Sequence, residues 1–217
     1  MGSRNTIRNE NLDVGEIISS YLDFLYPTTN LGDSLKAWQC VIICILAAQT
    51  NYKNVAKIQS EIFQNTLKEL ANMNYETLYE YVKHIRFGKV KTQRVLDAAK
   101  EMLKYGGDIP ITRNFLESLP GIGRKSAAVI LSQYSSIPAL AVDTHVIRIC
   151  NRLHISTSRD AKQVETSMMK VFKSECWSRI HTQLMYFGQE ICTSRDPACE
   201  KCKLTDLCNY YKENYNG

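Results

Sequence analysis

Four cysteines crowd the C-terminal end of the chain, Cys192, Cys199, Cys202 and Cys208, spaced C-x6-C-x2-C-x5-C. Four thiolates within seventeen residues can close round an iron–sulfur cubane or complete a zinc tetrahedron, and the spacing alone leaves both open. The N-terminus lacks an apolar stretch followed by a small-residue cleavage site, so a disulfide framework is the weaker explanation of the crowding. The other four, Cys40, Cys44, Cys150 and Cys176, lie scattered through apolar or helical segments and read as free, buried small hydrophobes. A second group of candidates sits in Leu119-Pro120-Gly121-Ile122-Gly123-Arg124-Lys125. Gly121 and Gly123 let the backbone turn where a Cβ would clash, with Ile122 pointing inward as a brace. The first amides of the helix that follows then face outward and, helped by its dipole, can cradle a phosphate. Taken alone, Lys125 reads as a surface lysine on that phosphate, and Asp143, just before Thr144-His145-Val146, as a helix N-cap. Gln49 ends an otherwise apolar helix, where a polar side chain needs a reason.

The elements that must position these residues are helical throughout. A first helix is expected over Val14 to Leu25, where Val14, Ile17, Ile18, Tyr21, Leu22 and Leu25 form one stripe. Asp33 or Ser34 is expected to cap the next, which contains the nine-residue apolar run Cys40 to Ala48 and stops near Gln49. That run is too short for a bilayer, which needs about 20 residues, and apolar on nearly every side, so it belongs at the centre of a helical domain. Further helices are expected at Val55 to Leu67, Tyr75 to Ile85 and Lys91 to Lys104, the last stopped by Gly106-Gly107. Thr112 caps a short helix to Leu119, and the Gly-rich turn leads into a helix from Arg124 to about Gln133. Asp143 opens another, Ser158 caps one bearing Val164, Met168 and Val171, and Trp177, Ile180, Leu184 and Phe187 mark the last. The 44% hydrophobic and 23% charged composition describes an ordinary globular chain rather than a disordered one. The formal net charge of +5 suits a phosphate-backbone partner or, equally, a solvated surface. Lys83, Arg86, Lys89, Lys91 and Arg94, with no acidic residue among them, form either a solvated face or an extension of a phosphate track.

LPGIGRKSAAVI, followed by AVDTHVIRICNRL, resembles the endonuclease III branch of the helix-hairpin-helix DNA glycosylases. The likeness runs from the first helix to the last cysteine. It implies that Lys125 is the nucleophile and Asp143 its acidic partner. An amine that displaces a base from C1′ leaves a Schiff base, and the imine acidifies the 2′ proton and permits β-elimination of the 3′ phosphate. The amine acts in its neutral form, whereas a nearby carboxylate favours the ammonium. Asp143 is therefore better read as proton acceptor and support for a positive sugar. His145 is expected to make a structural hydrogen bond. The resemblance also selects a [4Fe-4S] cluster for Cys192, Cys199, Cys202 and Cys208, with Arg195, Lys201 and Lys203 as an exposed basic loop. It further implies that Gln49, in Leu46-Ala47-Ala48-Gln49-Thr50, occupies the gap left by an extruded nucleotide. Two departures stand out: Tyr52 replaces the family's usual aspartate, and Phe87-Gly88-Lys89-Val90-Lys91 replaces its usual leucine-tyrosine-asparagine-serine-lysine segment, keeping only the lysine.

The resemblance thus implies an all-α, two-domain fold with the active cleft between a six-helix barrel, residues 30–136, and a cluster domain of residues 1–29 and 137–217. The expected activity is excision of oxidised pyrimidines from double-stranded DNA and cleavage of the abasic site. The alternatives are a thymine or uracil mismatch glycosylase and a noncatalytic cluster-bearing DNA binder. Gly121, Ile122, Gly123, Arg124, Gln49 and Lys91 are the expected DNA contacts. The protein is expected to be a monomer without membrane attachment, cytoplasmic and nucleoid-associated in a prokaryote or nuclear in a eukaryote.

Overall fold

The structure, a computed structural model, describes residues 4–27, 35–50, 52–136 and 138–215, with the side chains of 4–13 and of Tyr52 left out. Asp33 and Ser34, expected as caps, lie outside the described residues, and so does the Tyr52 side chain. Every regular element among the described residues is a helix, and none is long and apolar enough to cross a membrane.

The chain divides into two compact units, Gly32–Ser136 and the pair Met1–Leu31 with Ile137–Gly217. In the first, α2 (Ala37–Ala47) buries Trp38, Cys40, Val41, Ile42, Ile45 and Leu46, as its all-round apolar sequence requires. Around it stand α3 (Tyr52–Ile62), α6 (Gly88–Leu103) and α8 (Arg124–Tyr134), while α4 (Leu67–Ala71) and α5 (Tyr75–Val82) pack on α6, and α7 (Arg113–Ser118) on α8. Instead of six helices this unit has seven helical segments among its described residues. The extra one is α4, a turn and a half nucleated by a reciprocal cap: Thr66 Oγ1 accepts from the Glu69 amide at 3.2 Å, and Glu69 takes the Thr66 amide at 2.7 Å. The expected helix from Val55 to Leu67 overran the end of α3 at Ile62 and stopped at the first residue of α4.

In the other unit, α1 (Arg4–Leu25) lies against α10 (Ala161–Val171) and α11 (Trp177–Glu190), and α9 (Thr144–Arg152) against α10 and α11. Ile18, Leu22, Val146, Ile149, Met168, Ile180, Leu184 and Phe187 form the core. α1 starts ten residues before the expected Val14. Ser158 does not cap α10. Asp160 does, accepting from the Gln163 amide at 2.9 Å, while Ser158 Oγ holds the Asp160 amide at 3.0 Å. Gly15 is needed for close approach, since a Cβ there would stand 2.1 Å from the Val171 carbonyl oxygen. The 3₁₀ turns Ser174–Cys176, Cys199–Lys201 and Thr205–Leu207 and a final helix α12 (Asn209–Tyr215) complete the unit.

Candidate functional site

The glycine-rich turn joins α7 to α8. Thr112 Oγ1 accepts from the Phe115 amide at 3.3 Å to start α7, and the Ile122 amide returns to the Leu119 carbonyl at 3.1 Å. Gly121 has φ 88, where a side chain is strained, and a Cβ there would meet Arg94 Cδ at 2.9 Å and Ile45 at 3.5 Å. Ile122 is buried at 5% exposure, so its side chain supports the turn from below. Gly123 corrects the expectation that both glycines serve the turn. Its backbone is extended (φ −104, ψ −178), and a Cβ would meet nothing within 4 Å. The fold does not demand glycine there, and the missing side chain leaves open space in front of the backbone. Gly123 supplies no side-chain cap to α8, and the start of a helix, with its dipole and outward amides, favours an anion.

Arg124 and Lys125 are exposed in that first turn. In the same unit, Cys40 Sγ donates to Gln133 Oε1 at 3.3 Å. The thiol of Cys40 is pushed up by its hydrogen bond to Cys44 and by burial. Cys44 is held low by that same bond, against burial and with help from the charge of Lys125.

Lys91 departs from its expected role. It is 2% exposed, and its Nζ donates to the Leu46 carbonyl at 2.7 Å and to Thr50 Oγ1 at 2.6 Å. Burial, with Arg86 and Arg94 adding to it, brings its pKa down to about 8. A side chain so enclosed touches no phosphate, and the run from 83 to 94 is correspondingly not one track. Lys83 pairs with Glu80 and Arg86 lies 4.7 Å over the Phe87 ring; both are exposed, as are Lys89 and Arg94. Phe87, half exposed with φ 61, precedes α6. Gln49 is exposed just past the end of α2 with φ 53.

In the other unit, Asp143 caps α9. Its Oδ1 accepts from the amides of His145 at 2.9 Å and Val146 at 3.0 Å. Oδ2 lies 3.8 Å from His145 Nδ1, beyond hydrogen-bond reach, so one oxygen is spent on the cap and the other is not. The far end of α9 serves the cysteines. Arg148 donates to the carbonyls of Gly188 at 2.7 Å and Cys192 at 2.9 Å. Arg152 donates to Cys192 Sγ at 3.2 Å and the Thr193 carbonyl at 2.6 Å, with Tyr210 4.2 Å beneath it. Neither arginine was singled out from the sequence. The signal was available, since two arginines four apart on a helix share a face.

Cys192, Cys199, Cys202 and Cys208 line one cavity of about 20 Å³, with Ile149, Phe187 and Leu204 among its apolar walls. All four are free thiols. Burial, followed by lesser effects that include the neighbouring sulfurs, pushes Cys202 up to about 11 and raises Cys199 and Cys208. The Leu204 amide points at Cys202 Sγ at 3.4 Å. Among the described residues no group of three or more His, Cys, Asp or Glu is arranged to hold a metal ion; the thiols surround a space. Soft donors round an apolar cavity, with N–H groups aimed at two sulfurs, suit a thiolate-bound cluster. Of the basic residues in this loop, Lys203 lies 5.4 Å over the Phe24 ring, while Arg195 and Lys201 are exposed.

Residues 42–174 match the family described as HhH-GPD superfamily base excision DNA repair protein. The chain is 33% identical over 188 residues to endonuclease III of Haemophilus influenzae, covering 85% of this chain and 89% of that one. The chain belongs to the endonuclease III family. The endonuclease III fold is shared with solved structures: a non-covalent endonuclease III–DNA complex (TM-score 0.83, 27% identity, 93% of this chain and 97% of the other) and a trapped endonuclease III–DNA covalent intermediate with an estranged adenine (TM-score 0.81, 28% identity, 90% and 94%). Endonuclease III enzymes are base excision repair glycosylases with abasic-site lyase activity, and the family is known for iron–sulfur clusters.

Proposed function

We propose that this protein releases oxidised pyrimidines from double-stranded DNA and cleaves the strand at the resulting abasic site, with Lys125 as nucleophile. The observation that carries this reading is the position of Lys125, exposed in the first turn of α8 directly after the open backbone at Gly123. A phosphate held by those amides would bring the adjoining sugar to an amine on the same turn. Lys125 Nζ attacks C1′, the C1′–N bond breaks, and the base leaves with the bonding pair and takes a proton. The C1′–O4′ bond then opens, O4′ takes a proton as the amine gives one up, and the imine forms on the open sugar. Removal of a 2′ proton then expels the 3′ phosphate by β-elimination. Asp143, with Oδ1 fixed by the cap, would accept a proton and balance the positive sugar through Oδ2. Gln49 would fill the gap left by the extruded nucleotide, and the half-exposed Phe87 would lie at the duplex edge. Cys192, Cys199, Cys202 and Cys208 would hold a [4Fe-4S] cluster, which when bound supplies iron–thiolate bonds that tie the loop together.

Borohydride reduction tests the proposal. Wild-type protein should be trapped on damaged duplex, and peptide mapping should find the adduct on Lys125. Lys125→Gln should bind but give neither adduct nor β-elimination product. Attachment elsewhere, or undiminished trapping by that variant, overturns the assignment. A panel of duplexes carrying one oxidised pyrimidine or one uracil or thymine mismatch each assigns the base.

A further inference from the structure

Among the described residues Lys91 is one of the largest fully buried side chains, and both acceptors of its ammonium belong to one turn. A helix continuing past Ala47 would satisfy the Leu46 carbonyl with the amide of residue 50. Here the Thr50 amide turns back to the Ala47 carbonyl at 3.0 Å, and Gln49 adopts φ 53. The lysine, 2.7 Å from the Leu46 oxygen and 2.6 Å from Thr50 Oγ1, supplies the donor that the interrupted helix withholds. One turn further along α6, the stem of Arg94 packs beneath Gly121. The same helix therefore braces the turn that carries Gln49 and the turn that precedes Lys125. We propose that Lys91 is a positioning residue: it clamps the end of α2 in the left-handed turn that presents Gln49, so that α6 sets the spacing between Gln49 and the phosphate-binding hairpin. The consequence for DNA rests on the reading of Gln49 given above; the clamp itself does not.

Lys91→Met keeps the length of the stem and removes the donor, and Thr50→Val removes one acceptor with little change of shape. Hydrogen exchange of the amides of residues 48–50 reads the clamp directly. Exchange should quicken by roughly 10- to 100-fold in Lys91→Met and less in Thr50→Val, the scale of a lost buried hydrogen bond. Unchanged exchange in Lys91→Met overturns the clamp; if that variant does not fold, unchanged exchange in Thr50→Val overturns it. A double-mutant cycle with Gln49→Ala reads the consequence. Lys91→Met should lose about tenfold in discrimination between opposite bases, more than it loses on a preformed abasic site, and should add nothing once Gln49 is alanine. Losses that multiply, and that fall equally on both substrates, overturn the link through Gln49. If exchange quickens while Gln49→Ala alone changes nothing, the clamp stands and the reading of Gln49 fails.

Discussion

Alanine at Gly121 and alanine at Gly123 should separate the folding of the hairpin from its grip on a phosphate. At Gly121 the backbone has φ 88 and a Cβ would stand 2.9 Å from Arg94 Cδ. A residue with a side chain pays roughly 1–2 kcal/mol in that conformation, before the Arg94 stem is displaced. At Gly123 the backbone is extended and a Cβ meets nothing within 4 Å. Alanine there restricts the unfolded chain without straining the folded one, which stabilises by about 0.4–1 kcal/mol. The two variants should thus differ by roughly 2 kcal/mol in stability, in favour of Gly123→Ala. Binding should run the other way. A methyl group in front of the first amides of α8 interferes with a charge-assisted contact worth about 1.5 kcal/mol or more, which is about tenfold in affinity. Urea unfolding gives the stabilities, and fluorescence anisotropy on undamaged and abasic duplexes at two salt concentrations gives the affinities. If Gly123→Ala binds both duplexes as tightly as wild type, or is destabilised as much as Gly121→Ala, the division of labour between the two glycines is wrong.

Asp143→Asn keeps an oxygen for the α9 cap and should fold, yet slow base release by ~10²–10⁴, the usual scale of general acid–base help; single-turnover rates check this, and an undiminished rate removes the carboxylate from the chemistry. Anaerobically handled protein should be brown, absorb near ~400 nm and contain four irons, whereas a colourless active preparation with stoichiometric zinc would count against the cluster. Lys91 has its pKa lowered to about 8 in the folded protein against about 10.4 unfolded, so between these values the unfolded state binds more protons. The cost of burying its charge is full below pH 8 and relieved as pH rises towards 10.4. The stability of wild type relative to Lys91→Met should therefore increase over that window in urea titrations; a flat difference refutes the assignment.

What the sequence made legible was local. Asp143 shows as a cap because its partners are two and three residues away. The Gly121 turn shows because glycine and proline punctuate a chain, and the cysteine set shows as a short, regular spacing. Lys91 was hidden because its burial depends on Leu46 and Thr50, 45 and 41 residues back. Nothing near it in sequence says that an amine among other basic residues is enclosed. Ser158 and Asp160 illustrate a finer ambiguity: both are capping types two residues apart, and only the geometry of the turn decides which of them reaches the first free amide of α10. Gly123 misled in the opposite sense, since glycine is read as a demand of the backbone and here the space belongs to whatever lies outside the chain.

The helix α9 is nine residues long, a rod of about 14 Å. Asp143 is fixed to one end by the amides of His145 and Val146, and Arg152 at the other end holds Cys192 through its sulfur and the next carbonyl. The carboxylate and the cysteine loop are therefore fastened to opposite ends of one lever. A shift of Cys192 would be carried along α9 to the Asp143 carboxylate as a change of tilt.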